Sequence, residues 1–241
     1  MTASKSSRAE GSLYGQYCPL AMSAEFLCTR WTLLILRELL FGSTSFNDIS
    51  RGVPRMSRSL LSSRLKELIE VGVLEKREGG SGQSCYQLTP AGMALESVVL
   101  SMAGWGQKWL KVGPSLEALD VGLLMWDIRR NVKPMAALPN PFIVEFCLSG
   151  VPENQSRHWL VFKDDVVDLC HIDHGFDVDV VIEVEARKLT RVWMGWENMQ
   201  AAIDRGEMQL KGRREYTQIA CQWLGCSRVA KISKVPEAMR I

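Results

Sequence analysis

The sequence predicts a multidomain chain of mixed α/β class and α+β type, with a helix-and-hairpin domain first and a sheet-and-helix domain second. Three observations predict it. Residues 29–71 read as short amphipathic helices separated by hydroxyl caps and glycine stops. Residues 73–88 read as two strands around a GGSG tip, and residues 142–184 as a run of four strands. Gly113-Pro114 interrupts the pattern between the two parts.

The elements follow in order. The polar stretch 1–16 is expected to be a disordered arm. Thr29 can cap a helix through RWTLLILRELLF, which Gly42 ends. Ser45 can cap FNDISRG, whose apolar Phe46 and Ile49 are three apart. Ser57 caps the next helix, which stops at Gly72. A strand at Val73–Arg77, the GGSG tip at 79–82 and a returning strand at 85–88 make a hairpin. Thr89-Pro90, a cap with proline at the first helical position, opens a helix running to about Val112. That helix carries Trp105 and Trp109 on one face. Three helices, a hairpin and a closing helix make a winged helix-turn-helix over 17–112, with a linker at 113–120.

In the second part, a helix at Leu123–Arg130 precedes strands at 142–148, 158–162, 166–172 and 178–184. A helix near 196–205, a strand at 208–212 and a helix ending near Leu224 complete it. Strands and helices in separate runs indicate a mainly antiparallel sheet, in a domain spanning 121–241.

Composition limits the function. The chain has 241 residues and a net charge of +2. The basic excess sits in residues 1–112, at +4, against −2 for the remainder. A surface that approaches phosphates needs such a bias. No apolar run of membrane-spanning length and no secretory h-region is present, and seven irregularly spaced cysteines suit a reducing compartment. A cytoplasmic protein is expected. There is no GxSxG, GxGxxG, P-loop or HExxH motif, and the three histidines fall within 158–174, so neither enzyme chemistry nor a cofactor is expected. Cys170-His171-x-x-His174 has metal-like spacing, but Cys170 and His171 point to opposite sides of a strand, and no metal is assigned.

The helix after Ser57 carries the functional signal. At 100° per residue, Leu61, Leu65, Leu68 and Ile69 share one side. Ser59, Ser62, Ser63 and Lys66 share the other. Small hydroxyl side chains let a helix sit deep in a major groove and bond base edges or phosphates. Arg55 and Arg58 stand at the helix entrance, Arg64 flanks the same surface, and Lys76 and Arg77 begin the wing. These basic residues are expected to grip phosphates, while the serines read bases.

CysProLeu at 18–20, RWTLLILRELLFG at 30–42, SFNDI at 45–49, MSRSLLSSRLKELIEVGVLEKR at 56–77 and CYQLTPAG at 85–92 together resemble the HxlR-type winged-helix regulators of bacteria. The resemblance implies a homodimeric transcription regulator that binds double-stranded DNA. It assigns residues 57–71 to the recognition helix, 75–87 to the wing and the flanking helices to the dimer. Some members sense oxidants or electrophiles through a cysteine near the start of this domain, and Cys18 occupies that position. Its sequence neighbours include no Lys, Arg or His, so burial or dimer packing stays open beside a redox role.

Residues 178–225, with an acidic strand lead-in, a W-x-G before a short helix and glycines at 206 and 212, resemble the sterol-carrier (SCP2-like) fold. That resemblance implies an apolar pocket, which Trp159, Phe162, Trp193, Trp196 and Trp223 either line or replace as a filled core. A small apolar effector there is the expected input. The alternative is a lipid- or ligand-carrying protein whose first domain serves protein contacts.

Overall fold

The computed structural model describes residues 14–78, 84–132 and 134–241. Most of the arm expected at 1–16 and the GGSG tip at 79–82 lie outside the described residues. The chain divides into two compact units, one up to Val99 and one from Leu100 onward.

In the first unit, α1 (Pro19–Leu27) begins on a proline and α2 (Thr32–Leu40) follows after a sharp reversal. The expected cap at Thr29 is corrected here. Its hydroxyl donates to the Glu25 carbonyl of α1 at 3.3 Å, and Trp31, held at φ +80°, precedes α2 instead. A chain that turns within four residues needs a left-handed position, and here a tryptophan takes it. Gly42, at φ +96°, ends α2 as expected.

Ser45 accepts from the Asp48 amide at 3.0 Å and its hydroxyl donates to the Asp48 carboxylate at 2.7 Å, which starts α3 (Phe46–Gly52). Ser57 accepts from the Leu60 amide and starts α4 (Arg58–Glu70). Antiparallel β1 (Leu74–Glu78) and β2 (Ser84–Leu88) form the hairpin, with Leu74 opposite Leu88 and Glu78 opposite Ser84. The Tyr86 amide donates to the Thr44 carbonyl at 2.8 Å, tying the hairpin to the segment before α3. Thr89 caps α5 (Pro90–Met93), but the helix breaks there and α6 (Glu96–Trp109) starts afresh, so one expected helix is two. Ile35, Leu36, Ile49, Leu61, Leu65, Leu68 and Leu74 are almost wholly buried in one core. Each such side chain contributes about 1.5–3 kcal/mol by leaving water.

Where the sequence suggests a linker, α7 (Gly113–Glu117) forms a short helix, and Asp120 then caps α8 (Val121–Asn131). A five-stranded sheet follows: β3 (Phe142–Ser149), β4 (Arg157–Lys163), β5 (Val166–Cys170), β6 (Val180–Glu185) and β7 (Met208–Gly212). Its order is β5-β4-β3-β6-β7. Only β3 and β6 run parallel; the other three pairings are antiparallel. Between β6 and β7 lie α9 (Ala186–Trp193) and α10 (Met199–Asp204); α11 (Arg214–Thr217) and α12 (Ala220–Trp223) come last. Sequence reading missed α9. Its apolar positions Ala186, Leu189, Val192 and Trp193 have helical spacing, yet they follow strand β6 without a glycine, a proline or a side-chain cap to mark the switch.

Register divides the sheet into two faces. Phe142, Val144, Phe146 and Leu148 of β3 share the core with Leu160 and Phe162, with Val180, Ile182 and Val184, and with helix residues Met125, Ile128, Leu189 and Trp223. Glu145, Cys147 and Trp159 lie on the opposite face. There the segment after β5 places Phe176 against Trp159, ring centroids 6.4 Å apart.

Candidate nucleic-acid interface

The candidate interface is built on α3, α4 and the hairpin. Leu61, Leu65 and Leu68 hold one side of α4 in the core, so the opposite side must face solvent. Ser57, Ser59, Ser62, Ser63 and Lys66 are all exposed there, along with Arg55 and Arg58 ahead of them. The serines therefore form a continuous small-residue face, with hydroxyls 57 and 59 within 3.2 Å of each other.

The basic residues are not equivalent. Arg58 donates to the Asn47 side-chain carbonyl at 3.1 Å and lies over the Phe46 ring at 4.7 Å. Both partners come from α3 and neither carries charge, so the guanidinium keeps its full charge at the entrance of α4. Arg64 is only one-fifth exposed and is engaged by Glu67, which also accepts from Ser63 at 3.2 Å. Lys66 faces Glu70 at 3.8 Å, and Arg77 pairs with Glu75 on the same strand. Lys76 is exposed on β1. Sequence reasoning treated these cations as one set. The acidic neighbours at 67, 70 and 75 were visible, but which pairs close depends on side-chain geometry.

Arg37 joins the helices behind this surface. Its guanidinium donates to the buried Glu38 carboxylate at 2.7 Å and to the Gly52 carbonyl at 2.8 Å. The end of α3 is thereby tied to α2.

Cys18 lies at the N-terminal cap of α1, fully exposed. The backbone amides of Ala21 and Leu20 at the open helix end hold its thiol below the usual range. No basic side chain supplies this; the helix terminus does, a signal sequence reading overlooked.

The five aromatic residues expected at an apolar pocket do not surround one space. Phe162 and Trp223 meet in the core with centroids 6.4 Å apart, and the Trp223 indole donates to the Tyr216 carbonyl at 2.9 Å. Trp193 belongs to the same core and donates to the Asp127 carboxylate at 2.7 Å. Trp159 is on the other face of the sheet. Trp196 donates to the Gln107 side chain at 2.9 Å, beside α6. Among the described residues, no three His, Cys, Asp or Glu side chains converge as a metal group. No single helix among them is long and apolar enough to cross a membrane.

Comparison with known proteins bears on the N-terminal part of the chain. The family model for the HxlR-like helix-turn-helix matches residues 26–114. An uncharacterized HTH-type transcriptional regulator of Mycobacterium tuberculosis, Rv3095, is 38% identical over 109 residues, which are 44% of this chain and 63% of that protein. The chain thus spans 63% of the length of this mycobacterial relative. YvaP of Bacillus subtilis, an uncharacterized HTH-type transcriptional regulator, is 33% identical over 98 residues, covering 39% of this chain and 91% of its own length. The solved reduced form of the transcriptional regulator YodB from B. subtilis matches with a TM-score of 0.36 and 32% identity, over 41% of this chain and 99% of that one. With the family model over residues 26–114 and a relative covered for nine-tenths of its length, the chain belongs to the HxlR-like helix-turn-helix family of transcriptional regulators.

Proposed function

We propose that this protein is a DNA-binding transcription regulator that acts as a homodimer on an inverted repeat. The observation that carries the reading is the polar side of α4, where four exposed serines and Lys66 back onto the buried Leu61, Leu65 and Leu68. A helix of this profile enters a major groove and presents hydroxyls to base edges. Arg55, Arg58, Lys76 and Arg77 hold the backbone on either side, and Arg64 supports the same surface.

Dimerisation rests on unpartnered apolar side chains in helices flanking the motif. Tyr17, Leu20 and Met22 at α1 are exposed, as are Val98, Met102 and Trp105 along one stripe of α6. A second copy covers such faces, and two α4 helices then meet successive major grooves roughly 10 bp apart. Cys18, exposed with a lowered pKa, is the candidate thiol input. The second unit is read as SCP2-like and as a place for effector control.

The direct test is fluorescence anisotropy on DNA from the protein's own promoter region across a salt series. Binding that persists over competitor DNA and weakens steeply with salt supports the reading. Affinity indifferent to salt, or none above competitor, rejects it.

A further inference from the structure

The sheet of the second unit leaves a groove that neither the family nor the aromatic core accounts for. It lies at the carboxyl ends of β3 and β6, the one parallel pair. From β3 the chain departs toward β4 on one side; from β6 it departs into α9 and on to β7 on the other. Connections that diverge from the ends of these two parallel neighbours leave a crevice between them. The crevice measures about 690 Å³, the size of a small-molecule site.

Its lining is charged rather than greasy. Leu148 and Val184 contribute aliphatic surface, but both are buried in the core. The rest of the wall includes Ser149, Arg157, Glu183, Glu185, Lys188 and Gln209. Most of these charges have partners, and the exceptions are informative. Lys188 Nζ spends two of its three donors on Glu197 at 2.6 Å and Glu207 at 3.1 Å. Glu183 is matched by Lys211 at 2.6 Å. Arg157 is 62% exposed and meets Glu145 at 3.2 Å, so most of its five donors stay unspent. Glu185 pairs with no cation among the described residues. Its side chain is held across Gly150, where a Cβ would lie 3.2 Å from Glu185 Cγ.

The groove thus offers unspent donors on Arg157 and Lys188 together with an unspent carboxylate on Glu185. We propose that it binds a small zwitterion, a ligand with one carboxylate and one ammonium group, of the amino-acid class. The carboxylate meets Arg157 and the third donor of Lys188; the ammonium meets Glu185, with Ser149 and Gln209 as neutral acceptors. Cys147 in the same wall stays a neutral thiol, because burial and the Glu145 charge raise its pKa.

The test uses the full chain and three probes of one length: ε-aminocaproate, hexylamine and caproate. Calorimetry should show aminocaproate binding at least tenfold more tightly than either singly charged analogue. Glu185→Gln, an exposed substitution, should weaken aminocaproate at least tenfold while leaving circular dichroism and melting unchanged. Glu145→Gln with Arg157→Gln removes that ion pair as a unit and should abolish the preference for aminocaproate over hexylamine. Three results would overturn the site: no probe binds, hexylamine or caproate alone binds as tightly, or Glu185→Gln has no effect. Because binding is read directly, the result is independent of whether the first unit binds DNA.

Discussion

Asn47 accepts a 3.1 Å hydrogen bond from Arg58, so a residue of α3 fixes the guanidinium that guards the entrance of α4. With Phe46 beneath it, Arg58 is oriented before any phosphate arrives, and less conformational entropy is lost on binding. Arg58→Ala should weaken binding to all DNA sequences about tenfold and lower the salt slope by about one. Asn47→Ala should cost only a few-fold in affinity with the slope intact, since the charge remains. Anisotropy over a salt series checks both, and an unchanged Arg58→Ala slope would count against a phosphate contact.

Gly52 has no room for a side chain. A Cβ there would run into the Glu38 carboxylate, which is fully buried and held by Arg37. Gly52→Ala must either push a buried charge off its partner or shift α3 from α2. Both are costly, and roughly 2–4 kcal/mol of destabilisation is expected. Thermal unfolding should show the loss, and a variant melting within a degree of the parent would refute the packing argument.

These two contacts lie beyond what the sequence made legible. The caps at Ser45 and Ser57 and the serine face of α4 followed from local pattern, because capping and helical periodicity are properties of neighbouring residues. The Arg58–Asn47 bond, the Glu38–Gly52 approach and which cations close on an acidic neighbour depend on side-chain placement, which periodicity does not encode. The cap at Thr29 failed for the same reason: its hydroxyl went to α1, and a left-handed tryptophan made the turn. In the second unit, alternation gave the strands, but aromatic content alone could not tell which face each ring would occupy.

Gln107 predicts the behaviour of the second unit's polar interior. Its side chain donates to the Met194 carbonyl and accepts from the Trp196 indole, both at 2.9 Å, while its own carbonyl accepts from Lys234 at 2.7 Å. Gln107→Ala strands an indole N–H and a carbonyl in a site that is 5% exposed. A cost of about 2–3 kcal/mol is expected. Melting temperature and Trp196 fluorescence report it, and a silent substitution would show that water replaces the side chain freely.

Cys18 should be the most reactive of the exposed thiols. The amides of Ala21 and Leu20 at the open end of α1 favour its thiolate. Alkylation by iodoacetamide, mapped by mass spectrometry at neutral pH, should label Cys18 first. Its rate should reach half-maximum below the ordinary thiol value of about 8.5. Equal labelling of Cys18, Cys28, Cys221 and Cys226, the exposed thiols among the described residues, would remove it as a thiol input.

His158 gives the second unit a pH dependence with a defined sign. It is 3% exposed, its Nδ1 has no hydrogen-bond partner among the described residues, and the His171 ring stands edge-on at 5.0 Å. Burial, and then the charge of His171, push its pKa down to about 4 from 6.5. The unfolded chain therefore binds a proton that the folded chain refuses between those values. Stability is complete above about pH 6.5, falls as the pH drops toward 4, and levels off below. The total is about 3 kcal/mol. Urea unfolding of the parent at pH 7 and pH 4.5, against His158→Gln, isolates this contribution from that of the carboxylates. The substitution should narrow the difference between the two pH values, and an identical difference in both proteins would show that His158 accepts its proton in the folded state.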